Sequence, residues 1–353
     1  MGLLIYGANG YTGRIMVDDA VKSGLKPILG GRSEPAIKEL ADQKGLEYLI
    51  FNLNNANETE RALQGVKVVI HCAGPFRFTA LQMMEACLKT GTHYLDITGE
   101  IDIFELGASL NSKAIEKGIL LMPGVGFDVV PTDCLAAFLK GQLPDANSLK
   151  LAFAGLGGGM SKGTTLTMVE GMGERSKIRE NGKIVSVPLG FKTMQLKHEG
   201  KNLFFMTIPW GDVSTAFYTT GIPNIETYTT VSRKRYDKLG WMNAFSWLLK
   251  LDFIKEFARK KVRQGPAGPT DEARKNSRTF IWGEVSDAAG GKVQAYYTTP
   301  NGYTVTSLTA LLIAGKVLEG NYKTGFHTPA GLYSEHLIHE VPDVTSFYYY
   351  FLR

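Results

Sequence analysis

Cysteine is scarce in this chain of 353 residues, and long apolar runs are absent. The three cysteines, Cys72, Cys87 and Cys134, are too few and too scattered for a disulfide framework or a zinc-binding CxxC pair. Six histidines are present, but none stands at metal-ligand spacing, so we predict no metal site. No run approaches the roughly 18 apolar residues that predict a transmembrane helix. The first run, residues 3–5, is too short for a signal peptide, so we expect a cytoplasmic protein.

Positive charge is not spread evenly along the chain. The net charge is +5, but residues 232–280 alone hold 13 Lys or Arg against 5 Asp or Glu. The rest of the chain is therefore net negative. This asymmetry predicts a basic face on the second half, and it argues against a nucleic-acid partner.

Residues 241–263 contain several aromatic residues followed by a cluster of basic ones. One alternative is an interfacial helix that makes a peripheral contact with an anionic membrane. The other is a buried interface helix or a dimer contact, which we favour because apolar residues fall almost all round the predicted helix. We therefore expect a homodimer. The aromatic and basic residues concerned are Trp241, Phe245, Trp247, Phe253, Phe257, Arg259, Lys260, Lys261 and Arg263.

A glycine-rich turn follows the first apolar run. Residues 3–6 read as a buried strand that leads into Gly7-x-x-Gly10-x-x-Gly13 and a helix. In a dinucleotide site, the first glycine permits a tight turn, the second lets the backbone approach a pyrophosphate, and the third allows close packing of helix and strand. The predicted cofactor-binding residues of this turn are Gly7, Asn9, Gly10, Tyr11, Thr12 and Gly13.

Strand-like and helix-like segments then alternate six times, up to residue 122. This alternation predicts an α/β fold with a Rossmann-type, doubly wound parallel sheet in residues 1–130. Residues 131–353 are expected to form a second, α+β domain for substrate binding or dimerisation, with part of 304–353 packing back on the first domain. Single helices are predicted at 103–117, 164–174 and 241–262.

The end of the second predicted strand suggests which dinucleotide is bound. NAD-specific sites usually place Asp or Glu at this point, whereas this chain has Arg32 and Ser33. A guanidinium with an adjacent hydroxyl suits a 2′-phosphate, so we predict NADP, with NAD as the less favoured cofactor. The alternatives are a solvated Arg32 and a ribose contact through Glu34.

Two further stretches follow strands at the same predicted sheet edge. After the fourth strand, Ala73, Gly74, Pro75 and Phe76 are predicted to meet the nicotinamide half of the cofactor, or else to form only a turn. After the fifth strand come Asp96 and Glu100, which are candidates for hydrogen bonds to ribose or for acid–base catalysis. Nearby, Thr98 or Asp102 is expected to cap the next helix.

Asp128 follows the sixth strand, at the passage into the second domain. Reduction of a C=N bond needs a hydride for carbon and a proton for nitrogen. A carboxyl whose pKa is raised by apolar neighbours could supply that proton or hold a cationic iminium. The alternative is an aspartate that only hydrogen-bonds the backbone of a junction turn. We predict Asp128, Glu100 and Asp96 as the catalytic residues.

Several stretches resemble the saccharopine dehydrogenase-like oxidoreductase family, including its trans-acting enoyl reductase branch. The resemblance implies a Rossmann domain followed by an α+β domain, NADP(H) or NAD(H) binding, and reduction of a C=N or C=C bond. The Gly-x-Asp128 pattern is similar to the acid of the saccharopine reductases at this junction. The stretches are 7–13, 72–76, 91–100, 124–133, 157–164, 282–285, 299–303 and 325–330.

Two functions are therefore expected. The first is an NADP(H)-dependent oxidoreductase that reduces a C=N or C=C bond of a small or lipid-like substrate in an interdomain cleft. The second is a non-catalytic nucleotide-binding or membrane-associated accessory protein.

Overall fold

The structure is a computed structural model that describes residues 2–157, 159–244 and 246–352. The strands are β1 Leu3–Tyr6, β2 Ile28–Gly31, β3 Tyr48–Ile50, β4 Val68–His71, β5 His93–Asp96, β6 Leu120–Met122, β7 Ser148–Leu156, β8 Ser176–Glu180, β9 Lys183–Val187, β10 Thr193–His198, β11 Lys201–Thr207, β12 Asn224–Thr230, β13 Arg278–Ser286, β14 Lys292–Pro300, β15 Gly325–Phe326 and β16 Tyr348–Leu352. The helices are α1 Tyr11–Lys22, α2 Glu34–Lys44, α3 Ala56–Leu63, α4 Ala80–Thr90, α5 Ile101–Ser109, α6 Asn111–Glu116, α7 Val130–Gln142, α8 Lys162–Glu170, α9 Asp212–Thr220, α10 Arg233–Tyr236, α11 Leu239–Ala244, α12 Ser246–Leu249, α13 Asp252–Gln264, α14 Asp271–Asn276, α15 Gly302–Leu318 and α16 Pro329–Tyr333, with 3₁₀ turns at Phe76–Phe78 and Glu335–Glu340.

The chain divides into two compact units. Unit 1 comprises Met1–Val130 and Gly302–Val341, and unit 2 comprises Pro131–Asn301 and Pro342–Arg353. Each unit is built round one sheet, and the two sheets differ in strand direction.

Unit 1 contains a seven-stranded parallel sheet in the order β15-β6-β5-β4-β1-β2-β3. Its central strands β1, β4 and β5 have four residues each and are buried along their whole length, as strands covered by helices on both faces must be. The strand order reverses on either side of β1, and ligands of such sheets bind at the carboxyl ends of the strands near this point. The predicted doubly wound sheet is confirmed.

The last strand and a long helix of unit 1 come from the second half of the sequence. β15 pairs in parallel with β6, and α15 lies along α1, where the Ser307 hydroxyl donates to Asp19 at 2.8 Å. Residues 302–341 therefore complete the sheet and cover one helix of the nucleotide-binding fold.

One predicted helix of unit 1 is interrupted. Residues 103–117 form two helices, α5 and α6, which separate at Leu110. The break lets the Asn111 side chain accept a hydrogen bond from the backbone N–H of Phe326 in β15, at 2.8 Å. A contact with a strand more than 200 residues away is invisible to local periodicity.

Unit 2 contains a mixed nine-stranded sheet. Its main path is β10-β11-β12-β7-β13-β14-β16, with the hairpin β8–β9 attached to β12. Helices accompany this sheet, so the unit is an α+β domain. The helix predicted at 164–174 is displaced and shorter, because the Ser161 hydroxyl caps α8 by accepting from the Thr164 N–H at 3.2 Å.

The single helix predicted at 241–262 is wrong, because the segment is divided into α11, α12 and α13. The side chains of Trp247, Phe253 and Phe257 are exposed. Phe245 and the side chain of Trp241 lie outside the described residues.

Candidate functional site

The glycine turn, residues 7–13, joins β1 to α1. Gly7 has a φ of +83°, a conformation that favours glycine, and its N–H donates to the Gly30 carbonyl at 2.8 Å. A β-carbon on Gly13 would lie 2.4 Å from the carbonyl oxygen of Gly7, so Gly13 lets the helix approach the turn. A β-carbon on Gly10 would meet only that oxygen, at 3.2 Å. This one contact is tight, but no second protein atom comes within 4 Å, so the space beside Gly10 is much less crowded than that beside Gly13.

The N-terminus of α1 presents donors beside this space. In the described parts of the chain, the N–H groups of Thr12 and Gly13 have no acceptor. Asn9 is held through its backbone, because its carbonyl accepts from Arg14 Nε at 3.2 Å. Free N–H groups and the positive end of a helix of this length attract phosphate oxygens. The turn therefore fits the pyrophosphate of a dinucleotide.

Arg32 and Ser33 lie directly after β2 and are exposed. Within the described residues, neither side chain has a hydrogen-bond or ion-pair partner. Ser33 precedes α2, yet its hydroxyl does not cap that helix. A guanidinium and a hydroxyl that have no such partner among the described residues can both donate hydrogen bonds to a 2′-phosphate. Glu34 begins α2 and is also exposed, so it remains the alternative ribose contact.

Residues 73–76 follow β4 and lie beside the glycine turn. A β-carbon on Gly7 would meet the backbone nitrogen of Ala73 at 2.9 Å, which shows how closely the two turns approach. Gly74 is exposed, whereas Ala73 and Pro75 are half-buried. The Phe76 ring is buried against the His71 ring, with centroids 5.3 Å apart, so it packs inside the unit.

Glu100 holds this second turn in place. Its two carboxylate oxygens accept from the backbone N–H groups of Phe76, at 2.7 Å, and Arg77, at 2.9 Å. Burial raises the pKa of Glu100, while these two donors and the Arg77 guanidinium favour its charged form. Both oxygens are thus engaged by the protein backbone.

Asp96, at the end of β5, is fully buried, and its carboxylate is also hydrogen-bonded within the protein. Its carboxylate accepts from the Tyr94 hydroxyl at 2.6 Å and from the N–H groups of Thr98 and Gly124 at 3.0 and 2.8 Å. Burial raises the pKa of Asp96 to about 7, against the opposing effect of these donors. This arrangement joins the turns that follow β5 and β6. The α5 helix begins after Glu100, so neither Thr98 nor Asp102 is its N-cap residue.

Asp128 differs from the other two acids. It is half-buried, and its carboxylate has no hydrogen-bond or ion-pair partner in the described part of the chain. It lies against Gly99, where an added β-carbon would meet Asp128 Oδ2 at 2.7 Å. Burial raises the pKa of Asp128 to about 7. At neutral pH this carboxyl is therefore protonated in a large fraction of molecules.

The start of α15 supplies neighbours that were not predicted as site residues. The Thr306 hydroxyl accepts from the Phe127 N–H at 3.0 Å, next to Asp128. The Tyr303 ring meets the Tyr11 ring of the glycine turn edge-on, with centroids 5.0 Å apart. The sequence signal for the contacts of Tyr303 and Thr306 was the presence of polar residues in α15, a helix that is otherwise apolar.

Among the described residues, no helix combines the length and apolar character that crossing a bilayer requires. The same residues contain no group of three or more His, Cys, Asp or Glu side chains placed to hold a metal ion.

Several known proteins with similar sequences are named as oxidoreductases or reductases. A saccharopine dehydrogenase-like oxidoreductase of Mus musculus is 24% identical over 50% of this chain and 47% of its own length. A Mycobacterium tuberculosis protein named as a trans-acting enoyl reductase is 28% identical over 48% of this chain and 43% of its own. The chain thus spans about half the length of the curated relatives it matches.

Two other relatives bear on location. A saccharopine dehydrogenase-like oxidoreductase of Arabidopsis thaliana, 30% identical over 37% of this chain and 33% of its own, is named as mitochondrial. A Caenorhabditis elegans protein, 26% identical over 48% of this chain and 44% of its own, is named a lipid droplet localized protein. The expectation of a cytoplasmic location is wrong on this comparison.

The fold and the glycine turn agree with the remaining comparisons. The apo saccharopine dehydrogenase (L-Glu forming) of Saccharomyces cerevisiae matches the whole chain over its own full length, with a TM-score of 0.67 and 12% identity, which shows a shared fold. Residues 3–122 match the family model of the saccharopine dehydrogenase NADP binding domain. Residues 3–122 therefore correspond to a saccharopine dehydrogenase NADP binding domain, and the chain is similar to saccharopine dehydrogenase-like oxidoreductases over about half of its length.

Proposed function

We propose that this chain is an NADPH-dependent reductase of a C=N or C=C bond in a small or lipid-like substrate, with Asp128 as the proton donor. One observation carries the proposal. Of the three acids near the carboxyl ends of β5 and β6, Asp128 alone has a carboxyl that the described protein groups leave free. Its pKa of about 7 suits a group that gives up a proton at neutral pH.

The binding residues follow from the geometry of the glycine turn. The N–H groups of Thr12 and Gly13 would hold the pyrophosphate, while Arg32 and Ser33 would hold the 2′-phosphate. When bound, NADPH supplies a hydride. The exposed Gly74 would leave room for the nicotinamide half beside the second turn.

Asp128 completes the reduction. Addition of a hydride to the carbon of a polarised double bond leaves electron density on the partner atom, which must take a proton. The protonated Asp128 carboxyl donates that proton and becomes a carboxylate. Because Asp128 is only half-buried, solvent can return the proton before the next turnover.

Asp96 and Glu100 would act by positioning. Glu100 fixes the backbone of Phe76 and Arg77 with both of its oxygens. Asp96 ties the turn after β5 to Gly124. The carboxylate oxygens of both residues already accept hydrogen bonds from the protein, so we assign them to the shape of the site and not to proton transfer.

The names of the sequence relatives motivate both bond types. The mycobacterial relative is named an enoyl reductase, which points to a carbon–carbon bond, and the mouse relative is named saccharopine dehydrogenase-like, a resemblance that implies a carbon–nitrogen bond. Asp128 is suited to either, since the proton goes to nitrogen in one case and to carbon or oxygen in the other.

The test is steady NADPH oxidation by the purified chain with two substrate panels, cyclic imines and α,β-unsaturated carbonyl compounds that include acyl thioesters. Turnover with one panel identifies the bond type, and Asp128→Asn should reduce that turnover by ~10²–10⁴-fold. Asp145→Asn, at an exposed acid of unit 2, is the control and should leave it unchanged. NADPH binding without oxidation of any compound would contradict the proposal and favour a nucleotide-binding accessory protein.

A further inference from the structure

One side of α13 is anchored within unit 2. The Arg259 guanidinium binds both carboxylate oxygens of Glu170 on α8, at 2.7 and 3.0 Å. Lys255 Nζ donates to the Glu170 carbonyl at 2.7 Å. On the same side, Ile254 and Ala258 are half-buried. These contacts fix which way the helix faces.

The opposite side carries aromatic rings in solvent. Phe253 is 71% exposed and Phe257 is 74% exposed. They stand four residues apart, so they project from the same side of the helix. A helix that merely faced water would have polar residues there, because exposed phenyl rings gain nothing from folding.

Two lysines frame these rings. At 100° per residue, Lys260 and Lys261 fall within one turn of Phe257 and on either side of the two rings. Both are exposed, and neither has an ion-pair partner among the residues described. We call Phe253, Phe257, Lys260 and Lys261 the aromatic-basic face.

Acidic residues do not cancel this charge. Glu256 is occupied by Arg259 at 3.1 Å and by Arg263 at 3.6 Å. Asp252 stands in the first turn of the helix, where the positive end of the helix dipole stabilises it. The face therefore presents apolar rings and net positive charge together.

We propose that the aromatic-basic face docks this chain on an anionic lipid surface. A helix lying in the plane of a membrane buries aromatic rings at the headgroup boundary while its lysines meet lipid phosphates and carboxylates. Trp247 on the neighbouring α12 is 62% exposed and extends the set of rings available for insertion. The inference is independent of the nucleotide site and of any catalysis.

Charge decides against a second copy of the chain as the occupant. A two-fold dimer places the same patch on both subunits, so Lys260 and Lys261 of one copy would approach those of the other. An anionic membrane instead complements them, with each lysine contributing separately to binding.

The experiment is flotation of the full chain with vesicles of phosphatidylcholine alone and of equimolar phosphatidylcholine and phosphatidylserine. We expect binding to the anionic vesicles and much weaker binding to the neutral ones. The double variant Lys260→Glu/Lys261→Glu should lower the affinity for anionic vesicles by at least about tenfold, since each lysine near such a surface contributes separately to the attraction. Phe253→Ala/Phe257→Ala should lower it by a similar factor, because two inserted rings are lost.

Matched variants control for net charge and for loss of an aromatic ring. Lys26→Glu/Lys67→Glu makes the same charge change at exposed lysines of unit 1, and Phe351→Ala removes a ring of β16 that is 62% exposed. Both should bind vesicles as the wild type does. Absence of wild-type binding, or an equal loss in the control and test variants, would overturn the proposal. So would a wild-type dimer that does not float and that Phe253→Ala/Phe257→Ala dissociates.

Discussion

The carboxylate of Asp128 lies so close to the backbone of Gly99 that a β-carbon there would meet Asp128 Oδ2 at 2.7 Å. Gly99 does not adopt a positive φ, so alanine is compatible with its backbone. A substitution at Gly99 therefore acts on the site through the position of Asp128.

Gly99→Ala should reduce turnover in the same direction as loss of the Asp128 carboxyl, with NADPH affinity within a few-fold of wild type. The added methyl group displaces the acid, and a misplaced proton donor is a poor one. Stopped-flow reduction of a panel compound that the wild type turns over measures the effect, and titration of NADPH gives the affinity. Unchanged turnover would show that the place of Asp128 beside Gly99 is irrelevant to chemistry.

The rate should depend on the protonation of Asp128. Its pKa of about 7 predicts that kcat/KM is constant at lower pH and falls about tenfold per pH unit above that value. A pH–rate profile checks this, with cofactor binding followed separately at each pH. A profile that stays flat well above neutrality would exclude Asp128 as the acid.

The same group predicts a pH dependence of stability. The pKa of Asp128 is about 7 in the folded state and about 4 in the unfolded chain, so the folded state binds more protons between these values. The free energy of unfolding should thus fall as pH rises through this window. Asp128→Asn mimics the protonated form. It should match the wild type at the acidic end and be more stable than it at mildly alkaline pH, as measured by urea unfolding.

Two glycines of the first turn should respond differently to substitution. Gly10→Val should abolish NADPH binding with a smaller loss of Tm than a substitution at Gly13, because a β-carbon on Gly10 would meet a single protein atom, at 3.2 Å. Gly13→Ala should instead lower Tm, since its β-carbon would lie 2.4 Å from the Gly7 carbonyl oxygen. Calorimetry of NADPH binding and of unfolding separates the two. If Gly10→Val binds NADPH normally, the turn has a purely structural role.

Arg32 should set the preference between cofactors. Loss of a charge-assisted hydrogen bond costs about 1.5–3 kcal/mol, so Arg32→Ala should weaken NADPH binding by about ten- to a hundred-fold. NADH lacks the 2′-phosphate, and its affinity should stay within a few-fold. Arg61→Ala, at an exposed arginine of the same unit, is the matched control in the fluorescence titration. An equal loss of affinity for NADPH and NADH would contradict this role of Arg32 and would favour Glu34 as the ribose contact.

Glu100 should behave as a structural residue. In Glu100→Gln only one side-chain oxygen remains to accept from Phe76 and Arg77, and the amide nitrogen faces the other N–H. We expect a loss of about 1–3 kcal/mol in the free energy of unfolding. Glu116→Gln, at an exposed acid, should cost almost nothing. A stable Glu100→Gln that loses all turnover would point instead to a direct chemical role.

Sequence reasoning succeeded where the signal is local. The buried strands of unit 1 are short apolar runs, and the spacing of Gly7, Gly10 and Gly13 predicted a turn whose conformation the structure bears out. The similarity to a saccharopine dehydrogenase NADP binding domain was also recognisable from such stretches, since each motif is contiguous in the chain.

What escaped prediction depends on contacts between distant residues. Asp96 is engaged by Gly124, 28 residues away, and the Phe127 N–H is engaged by Thr306, 179 residues away. No local pattern reveals that the Asp96 carboxylate is hydrogen-bonded within the protein, whereas the Asp128 carboxylate has no partner among the described residues. Likewise, the aromatic residues of α13 suggested burial, and only the anchoring of Arg259 to Glu170 shows which side of the helix is left in solvent.

The late position of β15 in the chain affects how unit 1 is made. At about 5–20 residues per second, synthesis of the roughly 200 residues between β6 and β15 takes about 10–40 s. During that interval β6 is an open edge, and the α1 surface that α15 will cover is exposed to water. The nascent Rossmann sheet therefore remains incomplete and prone to association while all the strands of unit 2 except β16 are translated. Faster synthesis of the residues between β6 and β15, or a chaperone that shields the open edge, should raise the yield of folded protein in cells.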